Sequence, residues 1–137
     1  MIRFVLLSLI IFTTAACTPQ EEESSRTDIL RGKQLYQENC AACHGVNADG
    51  AGAASLGLGA PPPSLRDLSA GNGGIYPRDY VLGTIDGLAR HNDPTAAMPE
   101  FGAGDMGTVV LLEENGLTMP IPANLLAIAN YLETLQN

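Results

Sequence analysis

The sequence contains no tryptophan, and its aromatic residues are three phenylalanines and four tyrosines among 137 residues. Aromatic side chains supply much of the buried apolar area of small domains. A domain of about 120 residues with so few of them has too little side-chain material for a full core. A stable fold therefore needs another source of apolar surface.

Basic residues are also scarce. The sequence has seven lysines and arginines and fifteen acidic residues, which gives a formal net charge of −8. Removing residues 1–16 deletes Arg3 and no acid, so the charge of the remainder is −9. This balance argues against nucleic acid as a partner, because nucleic-acid binding depends on cations that neutralise phosphates. It argues equally against adsorption to anionic lipid through a basic patch.

No apolar run is long enough to span a bilayer comfortably. The longest covers residues 4–12, where Ser8 is the only polar residue, and a spanning helix needs about 20 apolar residues. Arg3 precedes this run, and the small residues Thr14-Ala15-Ala16 follow it. We predict that residues 1–16 are an export signal that is removed from the mature protein.

Cysteines are few, and Cys17 follows that signal directly. Thr14-Ala15-Ala16-Cys17 resembles a bacterial lipobox, although leucine is usual where Thr14 stands. We predict that Cys17 is acylated and anchors the protein to a bacterial membrane on the periplasmic side, since several acyl chains hold a domain durably. The alternative is ordinary cleavage nearby and a soluble periplasmic protein. Residues 17–26 then form the acylated cysteine and a polar tether, and residues 27–137 form the folded domain.

The other two cysteines lie in Cys40-Ala41-Ala42-Cys43-His44. This Cys-x-x-Cys-His spacing is typical of c-type haem attachment, in which both thiols bind the haem vinyl groups and the histidine ligates iron. A redox disulfide would need a preceding buried strand, and a zinc site would need a second ligand pair; the sequence offers neither. One covalent haem c, attached outside the cytoplasm, would also supply the missing apolar surface.

Helical periodicity is clear at both ends of the domain. One stripe leads into the haem motif and another lies near the C-terminus, and each repeats every three or four residues. Gly32 in the first stripe suggests a close helix crossing, because glycine otherwise costs about 1 kcal/mol in a helix. The two stripes are Ile29, Gly32, Tyr36 and Cys40, and Leu125, Ile128, Leu132 and Leu135.

The middle of the chain is rich in glycine and proline. Pro77 fits the first turn of a short helix that carries Val81, Ile85 and Leu88, with Gly87 as a possible C-cap. Residues 108–115 are ambiguous between helix and strand, and Gly116 as a stop signal favours a short helix. Pro120 and Pro122 are expected to mark the start of the last helix. We therefore predict an all-α domain with long loops around one haem.

From about residue 27 to residue 136 the chain resembles the class I cytochromes c. That resemblance implies the cytochrome c fold, with Gly32 and Tyr36 crossing the last helix at Ile128 and Tyr131. The matching residues are Gly32, Tyr36, Cys40-Ala41-Ala42-Cys43-His44-Gly45, Pro63-x-Leu65, Met98-Pro99-x-Phe101-Gly102 and Ile128-x-x-Tyr131-Leu132.

Several residues are candidates for the second axial ligand of the iron. Met98 is preferred, because turn-forming neighbours can present its sulfur and because it matches the distal motif of the family. Met119 is the main alternative, although its place before the last helix suits packing. Met106 carries little signal. His91 lies in a polar, turn-like run and is expected to be exposed; as a ligand it would lower the potential.

The resemblance also implies residues around the haem. Class I cytochromes use a proline carbonyl at a position like Pro63 to accept the second ring N–H of the ligating histidine, and the following leucine, here Leu65, packs on the haem. Pro61 or Pro62 could serve instead of Pro63. The haem propionates have four candidate partners, between which the sequence does not choose: Arg66, Tyr76, Arg78 and Arg90.

These features predict a periplasmic one-electron carrier rather than an enzyme. No nucleophile–base pairing or substrate motif stands out, and the expected partners are redox proteins rather than a small-molecule substrate. Two alternatives remain. One is a haem sensor or peroxidase-like protein with a displaceable distal ligand, and the other is a haem subunit of a larger oxidoreductase complex.

Overall fold

The computed structural model describes residues 19–50, 52–58, 61–88, 97–114 and 116–137, and for residues 19–22 and 27 the backbone alone. The first helix, α1, runs from Pro19–Asn39. It therefore begins well before residue 27, and the segment expected to be an irregular tether is helical from Pro19. The side chains of residues 23–26 are exposed, so this part of α1 is outside the core.

Helix α1 crosses the last helix, α5 (Ala123–Thr134), at a glycine. A Cβ atom at Gly32 would collide with the Ala127 carbonyl oxygen and would lie 2.9 Å from Tyr131 Cβ. The rings of Tyr36 and Tyr131 pack beside this contact with their centroids 5.6 Å apart. The predicted close crossing is confirmed, and it lets two helices that are unstable alone bury a common face.

Short helices connect α1 to the middle of the chain. Helix α2 (Ala41–His44) contains most of the cysteine–histidine motif, a 3₁₀ turn covers Ala53–Ser55, and α3 spans Leu68–Gly71. Helix α4 then covers Arg78–Asp86, and Gly87 ends it with a left-handed φ of 104°. Both the helix after Pro77 and its glycine cap are as predicted. A second 3₁₀ turn covers Phe101–Ala103.

The expectation of an all-α domain is wrong in one place. Strands β1 (Val109–Glu114) and β2 (Leu117–Pro122) form an antiparallel hairpin. Along β1 exposed and half-buried residues alternate, which is the period of a strand with one face on the core. Gly116 is a turn residue with φ 77° rather than a helix stop. Pro120 consequently lies in β2, and only Pro122 directly precedes α5.

Arg78 ties these elements together. Its guanidinium donates to Asn130 Oδ1 at 2.5 Å, pairs with Glu133 on α5, and lies 4.0 Å from Glu114 at the end of β1. The core lies between α1, α4 and α5. Within the described ranges, no helix is both long and apolar enough to cross a membrane.

Candidate functional site

A cleft of about 310 Å³ opens between the cysteine–histidine motif and the segment that contains Met98. Its walls are mainly apolar, and they come from all five helices described above and the loops between them. It is lined by Tyr36, Asn39, Cys40, Cys43, His44, Leu58, Pro62, Pro63, Leu65, Leu68, Tyr80, Val81, Thr84, Ile85, Ala97, Met98, Pro99, Phe101, Ile128 and Leu132.

Cys40 and Cys43 are free, half-buried thiols on this cleft. The Cys40 amide continues α1 by donating to the Tyr36 carbonyl at 2.9 Å, and the His44 amide donates to the Cys40 carbonyl at 2.9 Å. The turn therefore brings both sulfurs and the imidazole to one cavity. Burial, followed by the neighbouring Cys43, raises the pKa of the Cys40 thiol to about 11, so this thiol is protonated at neutral pH.

The His44 imidazole also lies on the cleft. Burial lowers its pKa, and the Pro63 carbonyl offsets part of this effect. The imidazole is consequently neutral at pH 7, which is the form that binds a metal. Nδ1 is buried and has no hydrogen-bond partner among the described residues, while the Pro63 carbonyl is near enough to influence the pKa of the ring. Nε2 is the other nitrogen available for a ligand.

The chain after His44 wraps closely around the motif because glycines permit it. Gly50 has φ 85°, and a Cβ there would collide with the Pro62 carbonyl oxygen and lie 3.3 Å from the Pro63 carbonyl carbon. A Cβ at Gly52 would lie 2.5 Å from the Cys43 carbonyl carbon. These contacts set the proline run directly beside the histidine. Pro62 and Pro63 are among the residues that line the cleft, and Pro61 is not.

On the other wall, the segment with Met98 docks onto the end of α4. A Cβ at Gly102 would lie 2.6 Å from the Asp86 carbonyl oxygen, and one at Gly87 would lie 2.7 Å from Glu100 Cγ. Both glycines therefore allow a close approach that side chains would prevent. This packing explains why a methionine in Met98-Pro99-Glu100-Phe101-Gly102 reaches the cleft from irregular chain.

The other candidates for the distal position are placed differently. Met119 lies in β2 opposite Leu112, and Met106 packs at the edge of the core. Neither is among the residues that line the cleft. His91 lies outside the described residues, as does Cys17 at the predicted lipidation site.

The described candidates for propionate binding are engaged elsewhere. Arg66 donates to the Asn137 side chain at 3.1 Å, and the Tyr76 hydroxyl donates to the Ala129 carbonyl at 2.9 Å. Arg78 is bound to α5, as described above, and none of the three lines the cleft. Arg90 lies outside the described residues. Three polar residues that line the cleft were not predicted from the sequence: Asn39, Tyr80 and Thr84. The i, i+4 spacing of Tyr80 and Thr84 indicates that they share one face of a helix.

Comparisons with known proteins give one family match and two short matches to curated relatives. The Cytochrome c family model matches residues 29–136. The chain is 59% identical over 32 residues to the Cbb3-type cytochrome c oxidase subunit CcoP of Azospirillum brasilense, and 60% identical over 35 residues to that of Azospirillum sp. (strain B510). These matches cover 23% and 25% of this chain but 11% and 12% of the two relatives. No solved structure shows a significant match.

Proposed function

Because the chain belongs to the cytochrome c family, for which covalently bound haem c and electron transfer are the defining properties, we propose that it is a carrier with a single haem. In this proposal Cys40 and Cys43 bind the haem through thioethers, and His44 and Met98 are the axial ligands of the iron. The bound group supplies a one-electron ferric/ferrous couple.

The residues of the cleft fit such a group. Two free thiols and a neutral imidazole lie together on an apolar cavity. His44 Nδ1 is buried without a hydrogen-bond partner among the described residues, and the Pro63 carbonyl is near enough to influence the pKa of the imidazole. A ligating histidine usually donates its second N–H to such a carbonyl and thereby becomes more basic. Leu65 and Phe101 contribute apolar surface to the cleft.

One observation carries the proposal: His44 and Met98 reach the same cleft from opposite segments, while Met106 and Met119 do not. Two fixed protein ligands favour electron transfer, because iron can then change its charge with little change in its surroundings. A thioether ligand also raises the potential relative to a second imidazole.

We also propose where the carrier works. The apolar run of residues 4–12 and the lipobox-like sequence before Cys17 support export and lipid anchoring on the periplasmic side of a bacterial membrane. The acidic surface, with fifteen acids against seven basic residues, suits redox partners that present a basic surface.

The test of the proposal is haem retention after denaturation. Acid–acetone extraction of protein made with the haem-attachment machinery should leave one haem on each chain, because thioethers survive acid. A double variant with Cys40→Ala and Cys43→Ala should release its haem into the organic phase. Release of haem from the unaltered protein would refute covalent attachment.

A second candidate is a haem subunit of a larger oxidoreductase, and the short matches to CcoP, a named subunit of a cbb3-type oxidase, favour it. Gentle detergent extraction followed by size analysis separates the two cases. A free carrier should migrate as a small protein, whereas a permanent subunit should co-migrate with other haem proteins. A sensor or peroxidase would instead bind carbon monoxide rapidly in the ferrous state, because its distal position would be displaceable.

A further inference from the structure

We propose that Tyr36 is a positioning residue for the iron ligand: its hydroxyl, acting through the backbone of Gly45, Ala48 and Leu65, holds Pro63 against His44. The inference rests on the proposed function, because it takes His44 as an iron ligand. It assigns to a core tyrosine of α1 a control over the redox potential.

The Tyr36 hydroxyl is buried and is bound to the backbone directly after the predicted iron ligand. Tyr36 is 0% exposed, and its hydroxyl donates to the Gly45 carbonyl at 2.6 Å. Gly45 is the residue directly after the predicted iron ligand, and its own amide donates to the Ala41 carbonyl at 2.9 Å. The contact with Tyr131 fixes the ring of Tyr36. The hydroxyl is therefore held at the turn that ends α2.

The same carbonyl of Gly45 also binds Ala48, which has a strained backbone. The Gly45 carbonyl also accepts the Ala48 amide at 3.0 Å. Ala48 has φ 61° and is 0% exposed. Such a left-handed conformation is unfavourable for alanine and persists only where the surroundings enforce it. The Gly45 carbonyl, fixed by the Tyr36 hydroxyl, is one of the groups that enforce it.

Ala48 in turn connects the loop after His44 to the proline run. The Ala48 carbonyl accepts the Leu65 amide at 2.8 Å, which docks the proline run on the loop after His44. Gly50 packs on the Pro62 carbonyl from the same loop. Gly50 also donates its amide to the His44 carbonyl at 2.9 Å, and a Cβ on Gly50 would lie 3.3 Å from the Pro63 carbonyl carbon, so the Pro63 carbonyl is held beside His44. Loosening the loop at Tyr36 should let this carbonyl move away.

The direction of the effect follows from the ligand chemistry. A carbonyl that accepts the Nδ1 proton makes the imidazole a stronger donor, and a stronger donor favours ferric iron. Weakening the Pro63 contact should therefore raise the midpoint potential. A Tyr36 that only fills space in the core would affect stability and leave the potential alone.

The experiment is redox titration of the haem-loaded protein with Tyr36→Phe, which removes only the hydroxyl. We expect a rise in potential of up to about 59 mV, corresponding to a tenfold change in the one-electron equilibrium. The matched control is Tyr76→Phe, because the Tyr76 hydroxyl also donates to a backbone carbonyl, at 2.9 Å, but away from the cleft. A potential for Tyr36→Phe equal to that of the control would overturn the proposal.

Two further measurements keep the test decisive if Tyr36→Phe yields little haem protein. In the unaltered protein, the amides of Ala48 and Leu65 should exchange slowly with deuterium, and rapid exchange of both would disprove the linkage. Gly50→Ala, which presses on Pro62 from the same loop, should also raise the potential, and an unchanged potential there would count against the role of Pro63. If the unaltered protein carries no covalent haem, the proposed function fails instead, and that result is recognisable before any variant is compared.

Discussion

Replacing Gly32 by alanine tests whether the helix crossing holds the domain together. The added Cβ would collide with the Ala127 carbonyl oxygen and would lie 2.9 Å from Tyr131 Cβ. Overpacking of this kind costs about 1–3 kcal/mol, and a backbone carbonyl cannot rotate away as a side chain can. The gain in helix propensity offsets about 1 kcal/mol. Because the collision is with the backbone, the cost should lie at the upper end of that range, and we expect a net loss of about 2 kcal/mol in the free energy of unfolding.

Gly83→Ala is the matched control. Gly83 lies inside α4, and nothing lies within 4 Å of the place where its Cβ would be. The same substitution should therefore stabilise the protein by about 0.5–1 kcal/mol through helix propensity alone. The two variants should differ in opposite directions from the unaltered protein.

The assay is guanidinium unfolding followed by far-ultraviolet circular dichroism and by the haem absorption, since the sequence has no tryptophan to report by fluorescence. The midpoint should fall for Gly32→Ala without a change in the slope of the transition. If Gly32→Ala is as stable as the unaltered protein, the crossing is not as tight as the contact with Ala127 implies, and the argument for Gly32 fails.

Five other substitutions test four separate predictions. Met98→Ala should let ferrous haem bind carbon monoxide readily, whereas Met119→Leu should leave the spectrum unchanged; the opposite pattern would exchange the ligand assignment. Cys17→Ser should move the protein from the detergent phase to the aqueous phase, and a mature N-terminus elsewhere without an acyl group would disprove lipidation. Arg78→Ala should lower the free energy of unfolding by roughly 1–3 kcal/mol, because it removes charged hydrogen bonds between α4 and α5, and thermal unfolding measures this. Hydrogen bonds from the Asn137 and Ser64 side chains lower the pKa of the Asp67 carboxyl below its ordinary value of 3.8. The stabilisation by this carboxylate is therefore complete above that pH and is lost as the pH falls towards the lower pKa of the folded protein, so Asp67→Asn should make the free energy of unfolding depend less on pH in that range.

The elements that the sequence predicts well are those with local signals. The apolar stripes locate α1 and α5, Pro77 and Gly87 bound α4, and Gly32 indicates the crossing. In each case a single local requirement, such as a buried stripe or a left-handed cap, determines the residue type. The structure shows which other elements these residues contact.

Two predictions differ from the structure although the sequence holds a local signal for the observed element. Asn115-Gly116 is a dipeptide typical of two-residue hairpin turns, and this signal outweighs the interpretation of Gly116 as a helix stop. Thr18-Pro19-Gln20-Glu21 has the spacing of a capping box with proline at the first helical position, and this signal outweighs the polar composition that favours a tether.

Contacts between distant parts of the chain could not be predicted. The sequence makes Arg78 and Tyr76 two of four candidates for propionate binding and does not choose between them. In the fold their partners lie on α5, more than fifty positions away. The Tyr36 hydroxyl and the Gly45 carbonyl are likewise brought together by the end of α1 and not by any motif. Pairings of this kind depend on the packed geometry and leave no periodic trace.

Helix α1 has a consequence for how a membrane-bound form would reach its partners. Its 21 residues extend about 30 Å at 1.5 Å per residue, and it begins two positions after Cys17 and ends beside Cys40. An acyl group on Cys17 and the haem on Cys40 would thus lie near the two ends of one helix rather than at the ends of a flexible linker. The distance between the anchor and the haem would vary little, although the helix could tilt about its anchored end. A partner would be selected by whether its own redox centre lies within that distance of the anchor.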